Sequence, residues 1–109
     1  MAIIANLTID QGTTISIVVP VKNTDGSVKD LTGYTANSQF RKSYYSTTFT
    51  AFTATHDDAG GNITLALTAT QSGGVKAGRY VYDVEILTGS TVARVQEGII
   101  TVNPEVTKV

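Results

Sequence analysis

Thr13-Thr14-Ile15-Ser16-Ile17-Val18-Val19-Pro20-Val21-Lys22 is the stretch on which the reading of this 109-residue chain turns. In an extended backbone Ile15, Ile17, Val19 and Val21 fall on one side, while Thr14, Ser16, Pro20 and Lys22 share the other with Val18. A period of two with one apolar side marks a strand with one buried face. Pro20 has no amide hydrogen for a ladder, so an unpaired side or a bulge is expected there.

Working outward, Ile3 to Asp10 reads as a first strand, separated by the turn-prone Gln11-Gly12. On the other side, Asn23 to Ser27 is a turn with Asp25-Gly26 at its centre, a strong hairpin signal. After Thr32-Gly33 the alternation resumes, with Tyr34, Ala36, Ser38 and Phe40 on one face. Residues 43–48 read as a polar loop, Phe49 to Thr55 as a strand, and Asp57 to Asn62 as a turn. Ile63, Leu65 and Leu67 line one face of the next strand. Thr68-Ala69-Thr70-Gln71 has the form of a capping box, so a single helical turn is expected there, and Gly73-Gly74 limits its length. Arg79 to Leu87 carries Tyr80, Tyr82, Val84 and Ile86 on its apolar side. A tight turn at Thr88-Gly89-Ser90 leads to a last strand, Thr91 to Asn103, with a bulge expected at Gly98.

About seven strands separated by turns predict an all-β, immunoglobulin-like antiparallel sandwich, formed by residues 1–109 as one domain. Thr, Val, Ile, Tyr and Phe supply 47 of the 109 residues, the types that suit a half-buried pleated surface. With 41% hydrophobic and 16% charged residues the chain is not of disordered composition. There is no cysteine, which excludes disulfides, thiolate metal sites and cysteine nucleophiles. A net charge of −1 offers nothing to a nucleic-acid backbone, and no apolar stretch approaches the ~20 residues that span a bilayer. Met1 to Asn6 lacks the basic start and apolar length of a signal peptide, so an unprocessed protein made in a cytoplasm is expected.

Candidates for chemistry are few. His56 beside Asp57 and Asp58 has the residue types of a base oriented by a carboxylate, but no Gly-x-Ser-x-Gly elbow accompanies it, and an exposed strand-end histidine accounts for it. Asp57, Asp58 and Asn62 could begin a cation loop. Asp and Asn also favour turns by bonding their own backbone, and no EF-hand spacing is present. Asp83 and Glu85, at positions i and i+2 of a strand, lie roughly 6.5–7 Å apart, the spacing of an inverting carboxylate pair. Charges on an outer face, with Arg94 or Lys42 across from them, explain them more simply. No catalytic residue, metal or cofactor is therefore expected. The segment most suited to contact is Arg41 to Phe49, because Arg41, Tyr44 and Tyr45 are of the types enriched at binding hot spots. Two adjacent tyrosines in an extended stretch cannot both point inward. The rival surface is the first strand, whose Ile3, Ile4, Leu7 and Ile9 put apolar groups on both faces.

Four segments together resemble small virion structural proteins of tailed bacteriophages, especially marine and cyanobacterial ones. They are Asn6–Thr14 (NLTIDQGTT), Asp30–Ala36 (DLTGYTA), Ala77–Glu85 (AGRYVYDVE) and Glu97–Glu105 (EGIITVNPE). The order of an early strand after a Gln-Gly turn, Asp-Leu-Thr-Gly-Tyr, Asp58-Ala59-Gly60-Gly61-Asn62-Ile63 and a Gly-x-Tyr strand is similar to the N-terminal domain of siphophage upper-baseplate proteins. The resemblance implies a non-enzymatic structural protein of the virion, made in the host cytoplasm and bound to other virion proteins in symmetric multiple copies. A single such domain is expected, without the further region of the baseplate proteins, which leaves baseplate, tail, neck or head decoration open. The alternative expectation is a carbohydrate-binding or adhesion sandwich, with a glycan as ligand.

Overall fold

The computed structural model describes residues 3–23 and 25–106. Nine strand segments and one helical turn follow one another: β1 (Ile3–Ile4), β2 (Leu7–Asp10), β3 (Ile15–Pro20), β4 (Thr35–Arg41), β5 (Thr50–Ala51), β6 (Thr53–Asp57), β7 (Asn62–Leu67), α1 (Ala69–Gly73), β8 (Gly78–Thr88) and β9 (Thr91–Asn103). One sheet runs β1-β9-β8-β4-β5 with β2 also on β9; the other runs β3-β7-β6. Taking β3, β4, β6, β7, β8 and β9 as strands B, C, D, E, F and G, this is BED packed on GFC, the immunoglobulin order, with the first strand lying beside G.

The deciding stretch is a strand with its apolar side inward: Val19 and Val21 are buried, Ile15 and Ile17 pack against the core, and Val18 is exposed. Pro20 lies at the end of β3, an edge strand paired only with β7. Ile63, Leu65 and Leu67 from β7 meet Tyr82, Val84 and Ile86 from β8 in a core completed by Ile9, Leu31, Phe40, Phe52, Ile100 and Val102. Thr68 caps α1 through the expected reciprocal bonds with Gln71. The turn after β3 is closed by Asn23 N–H to the Ser27 carbonyl (2.8 Å), with Gly26 at φ +88°.

Three expectations need correction. The sandwich is not wholly antiparallel, because β1 and β2 pair parallel with β9, and the first strand is interrupted at Ala5-Asn6. Residues 49–55 do not form one strand: Thr50 and Ala51 pair with β4, Phe52 turns inward, and Thr53 onward pairs with β7 in the other sheet. The bulge of β9 is at Val95, since Val84 pairs with Gln96 and Glu85 with Arg94, while Gly98 faces Tyr82 in regular register. Gly98 instead makes room for the interrupted first strand, where a Cβ would collide with the Ala5 carbonyl.

Two tyrosines fasten the chain around β8 through side-chain bonds within the larger sheet. Tyr80, near the start of β8, donates its hydroxyl to the Lys76 carbonyl four residues upstream (2.7 Å), the geometry of a tyrosine corner. Two residues on, where antibody domains place a cysteine, Tyr82 is buried and donates to the Ala5 carbonyl (2.6 Å). Gln96 Nε2 donates to the Tyr82 oxygen in turn (2.9 Å), tying the first strand to β8 and β9 through side chains as well as the ladder.

Candidate partner-binding site

β4 ends at Arg41, and the chain leaves the sheet through a β-turn over Ser43–Ser46. Ser46 N–H donates to the Ser43 carbonyl (3.2 Å), and Ser43 N–H donates to Ser46 Oγ (3.2 Å). Tyr44 and Tyr45 occupy the two central positions and are 74% and 95% exposed. Neither caps the core. Arg41 holds this turn from below: one guanidinium nitrogen donates to the Ser46 carbonyl (2.7 Å), the other to Gln39 Oε1 (3.0 Å). The same guanidinium lies 4.9 Å from the centre of the half-exposed Phe49 ring. Arg41 is thus half-buried, bonded to the loop at Ser46 and to β4 at Gln39, and the tyrosines form the loop's outer surface.

Tyr44 also walls one side of a shallow groove of about 480 Å³ on the outer face of the larger sheet. Its floor includes Gln39 and Arg41 from β4, Val81, Asp83 and Glu85 from β8, and Arg94 and Glu97 from β9. Arg94 lies between two carboxylates, 3.4 Å from Asp83 and 3.6 Å from Glu97, so the cross-strand partner expected for Asp83 is present. Lys42 is not part of this pairing and sits over the Tyr80 ring, 4.9 Å from its centre.

The remaining candidates fall elsewhere. His56 Nδ1 is hydrogen-bonded to Asp58, and Asp57 accepts from the Gly60 N–H (3.2 Å), so one of the two carboxylates shapes the turn itself. Among the described residues no three His, Asp or Glu side chains gather as a cation site would require. In the first strand Ile9 is buried and Leu7 packs against the core, while Ile3 and Ile4 are exposed. Asp25 and Asp30 each accept a hydroxyl and an amide bond from the residue two further on, Ser27 and Thr32. These bonds hold both carboxyls below their ordinary pKa, with the hydroxyl contributing most. Sequence reasoning missed the groove, whose only signal was the run of polar outward positions on three strands distant in sequence.

No family model and no curated relative matches the chain. Among solved structures it is similar to Listeria monocytogenes InlP, at 17% identity and a TM-score of 0.52 over 91% of this chain. The match spans 26% of InlP, and at that identity it bears on the fold alone. No helix among the described residues is long and apolar enough to cross a membrane.

Proposed function

We propose that this chain is a non-enzymatic structural component of a bacteriophage virion, held in the particle by protein–protein contacts made through the Ser43–Ser46 turn. The observation that carries the contact is the pair Tyr44 and Tyr45 at the tip of a turn fixed from beneath by Arg41. Tyrosines offer large amphipathic area with few torsions to freeze, and a turn already in place lowers the ordering cost of association. The resemblance of Asn6–Thr14, Asp30–Ala36, Ala77–Glu85 and Glu97–Glu105 to phage structural proteins supports the virion as the setting. Assembly in the host cytoplasm and repetition around a symmetric particle belong to the same reading.

Mass spectrometry of purified virions is expected to find this chain in stoichiometric amounts; its absence from the particles overturns the reading. Tyr44→Ala and Tyr45→Ala proteins, folded as judged by circular dichroism, are expected to recover less partner from dissociated particles. Unchanged recovery with both moves the contact to the exposed Ile3 and Ile4.

A further inference from the structure

We infer that the groove on the outer face of the larger sheet is a binding site for a neutral saccharide. It shares Tyr44 and Arg41 with the protein contact proposed above but rests on the sheet face, outside the Ser43–Ser46 turn. Beside Val81 and the two arginines, the floor presents groups with paired polar atoms: the Gln39 amide and the Asp83, Glu85 and Glu97 carboxylates. Asn37 continues this floor, in an adjoining depression that it shares with Gln39, Asp83 and Glu85. Register places Asn37 opposite Glu85 and Gln39 opposite Asp83 on neighbouring strands, about 4.8 Å apart. Neighbouring hydroxyls of a sugar ring each donate and accept, and such a lattice of planar acceptors and amides can satisfy both functions.

The charge pattern selects among polar ligands. Arg94 is shared by Asp83 and Glu97, while Arg41, which also lines the groove, bonds the neutral Ser46 carbonyl and Gln39 amide, so the lining sets three carboxylates against two guanidiniums. Glu85 forms no ion pair among the described residues, and its carboxylate remains an acceptor. A sulfated, phosphorylated or carboxylated ligand would approach a lining whose three carboxylates outnumber its two guanidiniums. An uncharged polyol meets no such penalty. Tyr44, exposed at the rim, supplies an aromatic wall against which the apolar face of a sugar ring can lie. The groove volume lies within the range of small-molecule sites, and its open shape suits a few residues of a chain rather than an enclosed monosaccharide.

The test is a glycan array printed with neutral, sulfated and sialylated oligosaccharides, followed by nuclear magnetic resonance titration with the best neutral binder. Saturable binding of a neutral oligosaccharide is expected, with shifts confined to the amides of residues 37–39, 83–85 and 94–97. Glu85→Ala and Asn37→Ala, both outward-facing changes, are each expected to weaken it about tenfold while the melting temperature stays put. Tyr45→Ala is expected to leave it unchanged. Absence of any neutral binder, preference for the anionic glycans, or full binding by both Glu85→Ala and Asn37→Ala overturns the inference.

Discussion

Tyr82 concentrates at one buried residue the side-chain bonds that fasten the interrupted first strand to the larger sheet. Its hydroxyl satisfies a backbone carbonyl that the interrupted first strand turns inward, and its oxygen accepts from a buried glutamine. Tyr82→Phe leaves both groups without that partner and is expected to cost about 1–3 kcal/mol, read from denaturant unfolding. The pH dependence carries a second signature. Burial pushes the Tyr82 phenol above its ordinary value near 10, against a smaller opposing effect of the Gln96 hydrogen bond. A raised pKa favours the fold while the group is neutral, so this contribution is whole below about pH 10 and is lost as pH climbs through the folded value. Tyr80, also raised by burial, adds to the slope. The wild-type protein is therefore expected to lose stability above pH 10 more steeply than Tyr82→Phe; parallel curves would show that Tyr82 ionisation is not coupled to unfolding. Elsewhere in the core, Leu65→Ala at a fully buried position is expected to cost about 2–4 kcal/mol by the same measurement. At the Asp57–Asn62 turn, Asp57→Asn with Asp58→Asn is expected to leave the melting temperature within a degree or two, with or without EDTA, because Asn supports the same turn.

Among the elements, β3, β7 and β8 were legible because each keeps one face against the core along its length, and a period of two records that directly. The capping box was legible because its partners, Thr68 and Gln71, are three residues apart. What the pattern could not hold is what depends on distant partners. The break between β1 and β2 is set at Gly98, with Ala5 N–H donating to the Glu97 carbonyl (2.9 Å) and Ile99 N–H to Asn6 Oδ1 (3.1 Å) across 93 positions. The passage of the chain from one sheet to the other at Phe52 is fixed by its N–H on the Ser38 carbonyl (3.0 Å). For the same reason the groove was invisible: its residues alternate with core residues on three strands, and only the sheet gathers them. The Gly98 account predicts that Gly98→Ala, which drives a methyl group into the Ala5 carbonyl, costs about 1–3 kcal/mol. Hydrogen exchange should localise the damage, with the Ala5 and Ile99 amides losing protection while those of β7 keep theirs. Unchanged exchange at Ala5 and Ile99 would remove Gly98 from its role.

Across the whole molecule, stability and contact are separated in space but joined through Arg41. The tyrosine turn lies beyond the end of β4, outside the core, so changing its tip need not disturb the sandwich. Its shape nevertheless depends on a side chain rooted in the sheet, whose fork reaches both the Ser46 carbonyl and Gln39 while covering Phe49. Removing that fork frees the turn, and the ordering it had completed in advance must then be met on binding, at about 0.5–1.5 kcal/mol for each side chain newly immobilised. Arg41→Ala is thus expected to lower recovery of the partner from dissociated particles several-fold, through loss of the support beneath the turn. Arg41→Lys is expected to restore little, because one ammonium cannot reproduce the two-pronged geometry. Both variants should melt close to wild type, since no core side chain changes, and heteronuclear relaxation should show faster motion at Tyr44 and Tyr45 in each. If Arg41→Ala binds as well as wild type while Tyr45→Ala does not, the tyrosines act without a pre-formed turn, and Arg41 is only a strand residue beneath them.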